Sequence, residues 1–74
     1  MTRFAQSPNG VWCKIQSNTR HTTEYQWDGS RWKYNFVWST WWTSKDCDEF
    51  FSKGGYTPRT YDDFKEFCAW NSIK

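Results

Sequence analysis

From Val11 to Ser17 the chain alternates, with Val11, Cys13 and Ile15 on one side and Trp12, Lys14 and Gln16 on the other. A period of two predicts a half-buried strand. Thr22 to Asp28 reads as a second strand carrying Tyr25 and Trp27 on one face. Gly29-Ser30 follows, and glycine at the first central position suits a two-residue type II′ hairpin turn. A third strand is expected from Arg31 to about Trp42. The turn sets Trp27 opposite Trp32 and Tyr25 opposite Tyr34, so that Trp32, Tyr34, Phe36 and Trp38 line one face. Arg31, Lys33, Asn35, Val37, Ser39 and Trp41 line the other.

The helical signals come later. Thr43 and Ser44 are candidate N-caps, Asp46, Asp48 and Glu49 suit a first helical turn, and Gly54-Gly55 supplies the stop. This short helix presents Cys47, Phe50 and Phe51 inward. Thr60 with Asp63 forms a capping-box variant that opens a second helix running to about Ser72. Its face is Tyr61, Phe64, Phe67 and Cys68, with Trp70 at the margin. Residues 1–10 are polar, end in Ser7-Pro8-Asn9-Gly10, and read as a loose arm before a single domain over 11–74. The expected fold is α+β with the order βββαα: a three-stranded antiparallel sheet and two helices packed together on its aromatic face.

Composition sharpens this picture. Seven Trp, six Phe and four Tyr stand in 74 residues without a single leucine, so rings must build the core. A fully packed ring buries about 150–250 Å². A domain this small hides only about 60% of its unfolded surface. Some rings are therefore expected to stay outside, chiefly Trp12, Trp41 and Trp42. Trp41 and Trp42 are adjacent, and in an extended chain their side chains point opposite ways.

Charge is lopsided. Residues 1–45 hold six cations against Glu24 and Asp28, and residues 46–74 hold six acids against four cations. The acids sit at two helix N-termini, where capping accounts for them without a partner. The opening residues contain no apolar run of signal-peptide type and no later stretch approaches a membrane span, so a cytoplasmic protein without a membrane partner is expected. Cys13, Cys47 and Cys68 are odd in number and lack close pairing, which reads as reduced, packed thiols. Together with His21 they match no zinc spacing, and no metal is expected. One histidine, no nucleophile elbow and no phosphate-binding glycine loop argue against catalysis, and no cofactor is expected.

Binding is what remains. The sheet face away from the helices would show Trp12, Lys14, Gln16, Arg31, Lys33, Asn35 and Trp41. Interfaces are enriched in Trp, Tyr and Arg. The expectation is a small non-catalytic protein that inhibits or modulates a larger host protein or nucleoprotein complex. Analogy of kind alone adds a phage or mobile-element, anti-defence setting. Trp12, Trp41 and Trp42 would be its anchors, with Lys14, Arg31, Lys33 and Asn35 around them. The alternative is a single-stranded nucleic-acid module, in which cations track the backbone and rings stack on bases. A homodimer would hide the spare rings in its own interface.

Overall fold

The computed structural model describes residues 1–72. The elements run β1 (Thr2–Gln6), β2 (Trp12–Ser17), β3 (Thr22–Trp27), β4 (Trp32–Trp38), α1 (Ser44–Gly54), β5 (Thr57–Arg59) and α2 (Tyr61–Ser72). Ile73 and Lys74, the end of the domain expected over 11–74, lie outside the described residues. The strands form one antiparallel sheet in the order β4-β3-β2-β1-β5. The fold is α+β as expected, but with five strands instead of three, four of them before the helices.

The two extra strands correct the reading of the N-terminus. Thr2–Gln6 is no loose arm: it pairs with β2 on one side and β5 on the other. The Met1 ammonium donates to the Ser17 carbonyl at 2.8 Å and closes that end of the ladder. β5 is a three-residue edge containing Pro58, which a sheet tolerates only at an edge or bulge.

The helices lie on opposite faces, not together. On β1, Ala5 is fully buried in a core with Ile15, Cys47 and Phe51, and Arg3 reaches the same helix. Its guanidinium bonds the Ser44 carbonyl and hydroxyl and pairs with Asp48 at 2.7 Å. The intervening Phe4 points the other way, onto Tyr61 and Phe64 of α2. Alternation along a strand requires that split. Phe64 is the hub of the second core, with ring centroids within 6.3 Å of those of Phe4, Trp12, Trp27, Trp32 and Phe67. Each such pair contributes about 0.5–1.5 kcal/mol beyond area burial.

Both helix starts follow the local chemistry. Thr43 accepts from the Asp46 amide while Asp46 accepts from the Thr43 amide, a reciprocal capping box. Thr60 and Asp63 repeat it at α2. Gly55 takes φ 72° at the end of α1 and returns its N–H to Phe51 and Ser52, the left-handed cap that glycine supplies without strain.

The expected pairing of β3 and β4 is present, with Trp27 opposite Trp32 and Tyr25 opposite Tyr34, and Gly29 takes φ 104° in the turn. The strand stops at Trp38, short of Trp42, and its faces differ from the expectation. A register shift falls between Glu24 and Tyr25, whose partners are Phe36 and Tyr34. Asn35 is thus an extra residue, a bulge that exchanges the faces of everything beyond it. Trp32 and Tyr34 lie on the α2 face, whereas Phe36 and Trp38 lie on the α1 face. At the bulge the Asn35 amide donates to the Glu24 carboxylate at 3.1 Å, and Glu24 is only 4% exposed.

Candidate functional site

The open basic face expected from the sequence is not formed: Trp12 and Lys14 lie on the α2 face, whereas Lys33, opposite Gln26, lies on the α1 face. Trp12 is 5% exposed and packs against Phe64 and Phe67. It is core, and as an anchor it is corrected. Lys14 is half-buried on the same face, its ammonium 5.0 Å from the ring centres of Tyr25 and Trp32. Burial lowers its pKa below the usual lysine value. Lys14 thus packs as a stem and a cation over rings.

Trp42 is also committed inward. Its ring lies 5.0 Å from Trp38 and 5.2 Å from Phe50. Its backbone N–H donates to Ser17 Oγ at 3.0 Å and to Thr22 Oγ1 at 2.8 Å, and those two hydroxyls bond one another. That buried polar clamp fixes the chain just after β4. With Trp42 turned in, its neighbour Trp41 is left outside, 58% exposed.

The remaining residues of the expected site separate. Arg31 and Lys33 are exposed, and Arg31 lies 3.8 Å from Asp28. Asn35 is engaged by Glu24. What the structure does bring together is the edge strand β4. Tyr34, Phe36 and Val37 are exposed along it, and Trp41 follows three residues beyond its end. Unbroken alternation puts Tyr34 and Phe36 together on the covered face; Tyr34 keeps the α2 face yet stays exposed on the edge strand, and the bulge turns Phe36 to the α1 face. Trp70 is the most exposed tryptophan at 72%, on α2.

A separate groove of about 350 Å³ lies between α2 and the β3–β4 turn, lined by Trp27, Gly29, Ser30, Phe67, Cys68 and Asn71. It sits at the far end of β3 from the Trp42 clamp. The candidate ligand set is not assembled: Cys13 and Cys47 belong to the α1 side, Cys68 lies on α2, and His21 is exposed in the β2–β3 turn. Among the described residues no three such donors come together, and no helix is long and apolar enough to cross a membrane.

Comparison of the chain with protein-family models, with curated proteins and with solved structures finds no match. Function must therefore be read from the surface itself.

Proposed function

We propose that the protein is a small, non-catalytic binding protein that inhibits or modulates a larger host protein or nucleoprotein complex through the rings of β4 and Trp41. One observation carries the reading. Tyr34, Phe36 and Val37 stay exposed on the edge strand, and Trp41 in the segment after it, in a molecule that buries or half-buries most of its other rings. Large rings beside an Arg and a Lys have the composition of an interface hot spot. The mobile-element, anti-defence setting belongs to the proposal by analogy of size and kind only.

The test is capture of a stoichiometric protein partner from nuclease-treated host lysate by the native protein, compared with Trp41→Ala. Loss of the partner with the variant, at unchanged stability, supports the reading. Equal capture by both proteins overturns it.

The same rings with Arg31 and Lys33 also favour a second reading, stacking on a single-stranded nucleic acid. Such a complex weakens log-linearly with salt through counterion release, whereas a ring-anchored protein interface does not.

A further inference from the structure

We infer that β4 is the docking edge for an extended, acidic segment of the partner, which adds to the sheet as a sixth strand. The inference rests on the binding-protein reading above and names the mode and chemistry of contact.

The two sheet edges differ. β5 offers three residues, one of them Pro58, which has no N–H to donate. β4 offers seven residues from Trp32 to Trp38, with no proline. Its free backbone groups can be assigned. The Asp28 N–H donates to the Arg31 carbonyl at 3.1 Å, which makes that pair a bonded one. Alternation along the antiparallel ladder then turns the N–H and C=O of Trp32 and Tyr34 away from β3. The Asn18 N–H donates to the His21 carbonyl at 3.0 Å and closes the previous hairpin in the same way. By the same alternation Thr23 bonds β2, so Val37, opposite Thr23, also faces outward. An incoming strand meets a row of outward-facing donors and acceptors, the template used in strand addition.

The bulge makes the edge two-sided. Tyr34 and Val37 stand on the α2 face and Phe36 and Trp38 on the α1 face, so an added strand is flanked by apolar groups on both sides.

Charge selects the occupant. From Gly29 through Lys45 the chain carries Arg31, Lys33 and Lys45 and no acid. The acids nearest β4 on β3 and its turn are Glu24, buried against Asn35, and Asp28, engaged with its own turn and Arg31. A second β4 brings the same cations and no acid of its own to pair with them, whereas an acidic segment is attracted.

The experiment pans a random decapeptide display library against the intact protein. The strongest selected peptide is synthesised, together with a version carrying Lys for each acid. Selected peptides should alternate apolar residues with Asp or Glu, and the best should slow hydrogen exchange at the Tyr34 and Val37 amides about tenfold or more. The double variant Arg31→Glu with Lys33→Glu should lose that peptide by at least about tenfold and accept the lysine version instead. The inference is overturned if no peptide is enriched, if the winners are neutral or basic, or if they bind without protecting β4 amides. A free protein that scatters light as a dimer with β4 already protected overturns it too, by assigning the edge to a second copy. Either failure leaves the Trp41 comparison intact, so the mode of contact and the binding function are judged separately.

Discussion

Trp32 and Trp38 stand six residues apart on one strand, yet their rings enter opposite cores: Trp32 meets Phe64 of α2 at 4.8 Å and Trp38 meets Phe50 of α1 at 5.7 Å. An even separation in a regular strand puts both on one face. The extra residue at Asn35 allows one strand to serve both layers, and the Asn35–Glu24 bond is what the inserted residue gains. Replacing Asn35 with Ala should strand a buried carboxylate and cost about 1–3 kcal/mol. In a domain of this size each kcal/mol shifts Tm by about 4–8 °C, so thermal unfolding followed by circular dichroism checks it. An unchanged Tm would mean that the bulge does not depend on this bond.

Trp41 and Trp42 are neighbours with opposite expected behaviour. Trp42 packs on Trp38 and Phe50, and Trp42→Ala should destabilise by about 2 kcal/mol or more, short of the ~3–5 kcal/mol of a fully buried ring. Trp41→Ala should stay within about 0.5 kcal/mol of the parent in urea unfolding. It should nevertheless weaken partner binding by more than about 1 kcal/mol. Equal destabilisation by both would place Trp41 in the core.

What the sequence made legible follows from the range of the forces involved. Thr43–Asp46 and Thr60–Asp63 are readable because each box is closed within four residues. The Trp27–Trp32 pairing is readable because a turn glycine sets the register beside it. The bulge is not, because the partner that Asn35 finds there is a buried Glu24 eleven residues away. β1 escaped for a similar reason: Thr2–Gln6 has only Phe4 and Ala5 as apolar residues, each serving a different layer, so no single-face pattern exists. The stripes of α1 and α2 were visible, but a stripe does not say which side of the sheet it meets. Placing both helices on one face leaves Trp12 and Lys14 of the expected site on an open one, whereas they lie on the face that meets α2.

Phe64 joins α2 to four strand rings, and its loss removes the helix's central contact. Phe64→Ala should cost about 3–5 kcal/mol, a large part of the ~5–15 kcal/mol typical of a domain. Because α1 packs on the other face, that layer should outlast α2 locally. Hydrogen exchange in the variant should speed up along α2 before α1. Simultaneous loss of both would show that the two layers unfold as one unit.

Acid should weaken the fold through its caps. The Thr43 amide lowers the Asp46 pKa and the Thr60 amide lowers that of Asp63, each below the usual 3.8. A folded pKa below the unfolded one gives stability that is complete above about pH 4 and lost as pH falls through the lower value. Asp46→Asn with Asp63→Asn should be less stable at neutral pH and show a flatter acid limb in urea titrations. A limb as steep as the parent's would assign acid sensitivity to other carboxylates.

Alkali should act through the thiols. Cys13 is fully buried, and burial, aided by the nearby Glu24 charge, raises its pKa from 9.0 to about 11. Burial also raises that of Cys47. The thiolate is the reacting form, so neither should react quickly with a thiol reagent near pH 8. Cys68, half-buried on α2, should be modified first, and Cys68→Ser should remove the fast phase while denaturant restores two reacting thiols. The same shift governs stability. Between about pH 9 and 11 the unfolded chain releases the Cys13 proton while the folded chain keeps it, so stability falls as pH rises through that window. Cys13→Ala should flatten this alkaline limb in part, since Cys47 and Tyr56, both raised by burial, contribute with the same sign. A variant as alkali-sensitive as the parent would mean that the Cys13 thiol ionises as readily folded as unfolded.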